Sequence, residues 1–581
     1  MIDNADIVVR GGLIVDGTGR APFEADIAIA KGRILAIGEN LNGREEIDAR
    51  GLHIMPGFVD IHTHYDGHAT WSERLGPSAP HGVTTVVMGN CGVGFAPCRP
   101  QDRDRLVKLM EGVEDIPDVV ISAGLPWSWQ GFPEYLDLLE TRQYDMDVAA
   151  YIPHAPLRVF VMGDRALNRE PATSEDIAHM AQIAREAVEA GALGFSTSRS
   201  LNHRSSDGRV TPSYDAAEVE LDGIAASLKE ADAGIVQFIS DFDDPELEFA
   251  MMRRVLERSG RPATMSLLQS PAVPERWRHL LAMVEAANRE GVPMTAQVST
   301  RPVGMLFGLE LSYHPFSFCP AYQSIAGLNL ADRLHAMRQP ATRERLLAEF
   351  GTISTPNMAH AVARLDSIFL MADPPSYEPT LDESVDAVAR RNGLSPAAYA
   401  YDLLTEGDGR SIFYSPVMNY VDGSAAAVGE MLRHPDTVLG LGDGGAHCGI
   451  VCDASLQTHT LIRWTQGDDA LPIETIVRFM TMDTARAVGI HDRGTIQAGM
   501  RADLNLVDMD GLGLHRPEMV YDLPTGAGRL HQRAKGFVAT MVAGEITYRS
   551  GVATGALPGR LLRRQRAVAP LRSAPADGVD A

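Results

Sequence analysis

Apolar residues along the 581-residue chain follow two periods. Short β-rich runs recur through its middle, at Phe58–His62, Thr84–Cys91, Val148–His154, Ala192–Ser198, Gly234–Ser240, Ala263–Gln269, Pro293–Ser299 and Thr437–Asp443. Between them, Ser174–Ala190, Ala217–Ala231 and Arg276–Arg289 place apolar residues at helical spacing. Strands alternating with helices in this number predict an α/β protein built on a (β/α)8 TIM-type barrel. The stretch of about 301–436 before the last strand is too long for a bare connection. It predicts an insertion with helices of its own, a lid over the barrel mouth.

The two ends of the chain read differently. Ile7–Arg10, Leu13–Val15, Asp26–Ile29 and Ile34–Ile37 are short strands separated by glycine-containing turns, and Ala502–Asp508 and Gly536–Tyr548 repeat the pattern. Residues 1–55 and 491–557 are therefore expected to form one small β-sandwich domain, with 56–490 as the barrel. Residues 558–581, carrying Arg563, Arg564 and Arg566, are expected to be a peripheral or disordered tail.

Charge and cysteine usage narrow the function classes. A net charge of -24, from 52 basic and 76 acidic residues, argues against nucleic acid and anionic membrane as partners. Five cysteines make no disulfide framework. The first residues carry no signal-peptide pattern, and no apolar run reaches membrane-spanning length. These features predict a cytoplasmic protein, with self-association left open.

The candidate chemistry gathers where the strands end. His62 and His64 close the first run, Asn90-Cys91-Gly92 the second, His154 the third and Asp443-Gly-Gly-Ala-His447 the eighth. A barrel site lies at the C-terminal ends of its strands, so these groups converge if the strand assignment holds. Two imidazoles, a thiolate and a carboxylate suit a zinc ion. Asp443 would then take a proton from the attacking water and pass it to the departing nitrogen of an amide. Each residue also has a plainer reading: a buried small thiol for Cys91, a loop hydrogen bond for His154, a turn for Asp443.

These residues resemble the amidohydrolase superfamily, nearest its N-acyl-D-amino-acid deacylase (D-aminoacylase) branch. The resemblance rests on Met55-Pro-Gly-Phe-Val-Asp-Ile-His-Thr-His-Tyr-Asp66, Gly82-Val-Thr-Thr-Val-Val-Met-Gly-Asn-Cys-Gly92, Met110-Glu-Gly-Val-Glu-Asp-Ile-Pro117, Gly191-Ala-Leu-Gly-Phe-Ser-Thr197 and Asp492-Arg-Gly-Thr-Ile-Gln-Ala-Gly-Met-Arg-Ala-Asp503. It implies a metal-dependent hydrolase of non-peptide C–N bonds, with His62, His64, Cys91 and Asp443 as metal ligands. In that branch histidines on strands five and six bind a second metal. Here strand five offers Gln237 or Phe238 and strand six Ser266 or Leu267, and strand four has no lysine to form a carbamylated bridge. The chain is thus expected to be a divergent member holding one zinc per chain, with a further ligand open among His154, His203 and His447.

Polar groups near the expected mouth complete the reading. His154, Arg199, His203 and Arg301 are candidate substrate contacts, the arginines through bidentate bonds to a carboxylate. Gln237, Gln269 and Gln297 are expected to share one face as an amide network. Deacylation of an N-acyl (D-)amino acid or related small amide is the leading function. Opening of a cyclic amide, of the hydantoin or dihydropyrimidine type, and small-molecule binding on a degenerate site are the alternatives.

Overall fold

The structure, a computed structural model, describes residues 5–352 and 358–564. Its centre is a set of parallel strands in chain order. Strand one (Phe58–Asp60), strand two (Val83–Met88) and strand three (Asp147–Ala150) form one arc. Strand three continues as Ile152–Pro153, which opens a second arc of strand four (Gly194–Arg199), strand five (Ile235–Ser240), strand six (Ala263–Ser266), strand seven (Met294–Val298) and strand eight (Thr437–Leu439). Strand two is buried along its whole length, as expected of a parallel strand covered on both faces. Helices Ser174–Glu189, Glu218–Glu230, Pro245–Ser259 and Arg276–Arg289 fill the crossovers.

Hydrogen bonds join the two arcs at both seams. Tyr151 N–H donates to Met88 O at 2.9 Å on one side. On the other, Asp443 N–H donates to His62 O at 3.0 Å and His64 N–H to Gly444 O at 2.8 Å. Val59, Ile61, Val87, Ala149, Leu193, Ile235 and Val438, on or next to strands one to five and eight, pack into one apolar cluster.

Both chain ends enter a single nine-stranded sheet. Its apolar core joins Val9, Ile14, Ile27 and Ile54 from the N-terminal side to Leu504, Leu506 and Met541 from the C-terminal side. The two short strands expected at 7–10 and 13–15 are one strand, Ala5–Ile14, whose register shifts between Val9 and Gly12. Gly12 allows this, since a Cβ there would lie 2.6 Å from the Ile54 side chain. His53–Pro56 pairs with Leu504–Val507 and leads directly into strand one.

Residues 301–436 contain helices, as expected, and a three-stranded antiparallel sheet of Val303–Phe307, Phe369–Leu370 and Phe413–Met418. They bury a core of their own around Phe307, Phe316, Leu334, Tyr401 and Phe413. This unit packs on the loop after strand eight: Leu306 N–H donates to Ile450 O at 2.7 Å and Ser312 N–H to Gly449 O at 3.0 Å. The start of the expected tail is docked. Gly559 and Leu561 bridge to Tyr144 and Val148, and Arg563 pairs with Asp137 and Glu140. Arg566 and the rest of the tail lie outside the described residues. Among those described, no helix is long and apolar enough to cross a membrane.

Candidate metal centre

Strand one ends at Asp60, so His62 and His64 stand on the turn beyond it rather than on the strand itself. Their backbone is nevertheless pinned on both sides, by Thr63 N–H to Val87 O at 3.1 Å and by His64 N–H to Gly444 O at 2.8 Å. The two rings consequently converge, with centroids 5.6 Å apart. His62 Nε2 lies 3.2 Å from Cys91 Sγ, and Cys91 Sγ lies 3.9 Å from His64 Nε2. The donor atoms of His62, His64 and Cys91 all fall within 4.8 Å of one another. Asp443 Oδ1 approaches both imidazoles, at 3.5 Å from His62 Nε2 and 3.6 Å from His64 Nε2. Donors held about 2.0–2.3 Å from one zinc ion sit roughly 3–4 Å apart, so this spacing and donor chemistry fit that metal.

The backbone around this group is unusual. Cys91, Leu441, Asp443 and His447 all have positive φ, at 57, 63, 46 and 53°. Such conformations are uncommon for residues with a side chain and cluster at functional sites.

Surrounding groups orient the imidazoles. Gln297 Oε1 lies 2.7 Å from His62 Nδ1, and Gln297 Nε2 donates to Thr264 Oγ1 at 2.9 Å. That amide orientation makes Nδ1 the protonated nitrogen and leaves the Nε2 lone pair free. Burial holds the His62 pKa down at about 4, so its ring is neutral and ready to ligate. Glu114 Oε1 stands 3.3 Å from His64 Nδ1. Burial alone would lower the His64 pKa, but Glu114, Asp443 and Cys91 together raise it above the ordinary value. Burial pushes the Cys91 thiol up to about 12, so only a bound cation would make it a thiolate near neutral pH. For Asp443, burial is outweighed by the His64 hydrogen bond and the neighbouring imidazoles, and its pKa falls below the ordinary carboxylate value.

A family model described as the amidohydrolase family matches residues 45–548. The chain belongs to the amidohydrolase family. It is 28% identical over 570 residues to N-acyl-D-aspartate deacylase of Alcaligenes xylosoxydans xylosoxydans, across 96% of this chain and 95% of the relative. Its fold is similar to that of D-aminoacylase, a protein with a binuclear metal centre, at TM-score 0.64 and 22% identity over 96% of this chain and all of that one. It is also similar to N-acyl-D-glutamate deacylase from Bordetella bronchiseptica in complex with zinc and a phosphonate inhibitor, at TM-score 0.63 and 23% identity over 97% and 100% of the two chains. As an amidohydrolase it is an enzyme of non-peptide C–N bonds.

The remaining expected residues divide sharply. His154 is fully buried, bonded through Nδ1 to Thr197 and through Nε2 to Glu220, each at 2.8 Å. Glu220 also pairs with Arg158 at 2.7 Å, so His154 belongs to an internal network and not to the mouth of the amidohydrolase site. Arg199 grips Glu248 with two nitrogens, at 2.8 and 3.1 Å. Arg301 is 1% exposed, bonded to Asp453 at 2.7 Å and stacked 3.8 Å over the Tyr377 ring. Both ring nitrogens of His154, the Arg199 guanidinium and the Arg301 Nη atoms are thus held by partners within the chain, where all three residues were expected to meet substrate. His203 does stay with the centre. Its Nδ1 contacts Ser198 Oγ at 2.7 Å, and burial, reinforced by the nearby site histidines, holds its pKa at about 3.

Of the three glutamines, Gln297 meets His62, while Gln237 Oε1 accepts the Cys91 N–H at 3.2 Å. Gln269 instead turns to Pro274 O and is not in that network. Of the alternatives on strands five and six, Gln237 and Ser266 carry buried polar atoms, whereas Phe238 and Leu267 join the apolar core. Glu114 was not among the expected site residues, although its motif was. The helix Arg103–Glu114 buries Leu106, Val107, Met110, Val113 and Glu114. A carboxylate continuing an apolar stripe needs a buried partner, and that was the available signal.

Proposed function

We propose that this amidohydrolase deacylates an N-acyl-D-amino acid, using one zinc ion held by His62, His64 and Asp443 with Cys91 beside them. The observation that carries the reading is the meeting of these four side chains within 3.2–3.9 Å contacts at the seam between strands one and eight. Likeness to an N-acyl-D-aspartate deacylase along nearly the whole chain supports the substrate class. The same reading makes the two parallel arcs a closed (β/α)8 barrel, with 1–55 and 491–557 as a β-sandwich domain and 301–436 as an insertion over the mouth. The eight strands in chain order and the hydrogen bonds at both seams support it.

Bound there, a zinc ion would polarise the amide and lower the pKa of a coordinated water from about 15.7 to roughly 7. The chain supplies the rest. His62 presents its Nε2 lone pair with Nδ1 facing Gln297, and His64, with Nδ1 facing Glu114, would give up its Nε2 proton as the ion binds. Asp443 is ionised at neutral pH because its neighbours hold its pKa low. It accepts the proton of the attacking water and delivers it to the amine nitrogen as the C–N bond breaks, giving a carboxylate and an amine. His203, neutral near physiological pH, borders the same space and is positioned to meet the substrate.

The test is a panel of N-acetyl-D-amino acids, acidic and neutral, with their L-enantiomers and two hydantoins, offered to the zinc-loaded protein. Release of acetate and free D-amino acid is expected. Ring opening without release of a second molecule would assign the site to cyclic amides. Tight ligand binding with no hydrolysis of any amide would make it a binding protein.

A further inference from the structure

We propose that Gln237 binds the substrate's carbonyl oxygen, donating a hydrogen bond from Nε2 as negative charge builds there. This rests on the amide-hydrolase reading above. Gln237 is completely buried, and its amide orientation is fixed because Oε1 accepts the Cys91 N–H at 3.2 Å. The other end of the amide, Nε2, is buried with no hydrogen-bond partner among the described residues. A buried amide donor left unpaired is costly, so its persistence points to a ligand that completes it.

The neighbouring strand repeats the observation. Gln237 pairs with Thr264, and Ser266 lies two residues further along, on the same face and nearer the C-terminal end. Its Oγ is likewise buried without a partner. Ser266 pairs in turn with Gln297, whose Oε1 meets His62 Nδ1. Two unanswered donors thus stand on strands five and six, beside Cys91 and one strand from the His62 support. An amide nitrogen has no lone pair to give a cation, and Gln237 Oε1 is already engaged, so this side is unsuited to zinc. It is suited to an oxyanion, which needs fixed donors in a water-poor setting. During attack the carbonyl π pair moves onto oxygen and the Gln237 N–H holds it. When the C–N bond breaks the carbonyl re-forms, with no proton lost from Gln237.

The experiment compares wild type with Gln237→Leu, both zinc-loaded, on the best substrate of the panel and on its phosphonate analogue. The variant should lose about 10²–10³-fold in kcat/KM. Its affinity for the phosphonate should fall by the same factor, with zinc content and binding of the free D-amino acid product unchanged. If Gln237→Leu misfolds, Gln237→Met is read instead. A second protein, Gln237→His with Ser266→His, should bind two zinc ions where wild type binds one. Unchanged kcat/KM and phosphonate affinity in Gln237→Leu, or one zinc in the double variant, overturns the proposal alone. If wild type neither hydrolyses the panel nor binds the phosphonate, the deacylase reading falls and takes this one with it.

Discussion

The C-terminal ends of the central parallel strands fall into two groups that differ in what they hold. On the side of strands one, two and eight, His62, His64, Cys91 and Asp443 interlock through contacts of 3.2–3.9 Å. On the side of strands five and six, Gln237 and Ser266 keep buried polar atoms that nothing among the described residues satisfies. The donor chemistry of the first side suits a cation. The second is neutral, and its free groups are donors. The two sides hang on different strands yet share supports, since Gln237 accepts the Cys91 N–H and Gln297, beside Ser266, meets His62.

The sharpest way to break this contrast is to strip the first side. His62→Ala with His64→Ala should abolish zinc binding while leaving the fold intact. Activity should fall about a thousandfold or more, since several kcal/mol of transition-state stabilisation are lost at roughly 1.36 kcal/mol per decade. Metal analysis and kcat/KM on one preparation read both effects. Retention of stoichiometric zinc would move the metal elsewhere.

A smaller effect is expected from the support behind it. Glu114 is buried and faces His64 Nδ1 at 3.3 Å. Glu114→Gln keeps the shape and removes the charge. Zinc affinity should drop about 10–100-fold, the usual cost of altering the group behind a metal-binding histidine. Excess zinc should restore most of the turnover, unlike the histidine variants. Unchanged affinity in a chelator competition assay would deny Glu114 that role.

Much of this contrast is legible in the sequence, and the part that is not has a physical cause. The eight central runs are rich in strand-forming residues, and that pattern locates strands at 58–60, 83–88, 147–150, 194–199, 235–240, 263–266, 294–298 and 437–439. It overshoots their ends, because the site residues lie on turns just past them. His62 and His64 still converge, through hydrogen bonds to Val87 and Gly444 that no local pattern announces. Pairings across long sequence distances are the harder case. Arg199 finds Glu248 and Arg301 finds Asp453, and each arginine alone looked free to hold a substrate. The same limit hid Glu114, whose partner is 50 residues away.

His154 tests whether the contrast stops at the metal side, and the smallest change in turnover is expected there. It opens the helix His154–Met162 just after strand three's extension, buried against Thr197 and Glu220. His154→Gln keeps hydrogen-bonding groups on both sides and removes the titration. Its kcat/KM should stay within about twofold of wild type; a loss of tenfold with the fold intact would return His154 to the site. Stability should carry the signature instead. Burial lowers the His154 pKa despite Glu220 beside it, so the unfolded chain binds the proton more readily than the folded one. The stabilisation is then complete above the unfolded value of about 6.5 and is lost as pH falls below it. Thermal unfolding at pH 8 and pH 5 should show wild type losing more stability on acidification than His154→Gln, while the zinc-dependent rate of the two proteins remains alike.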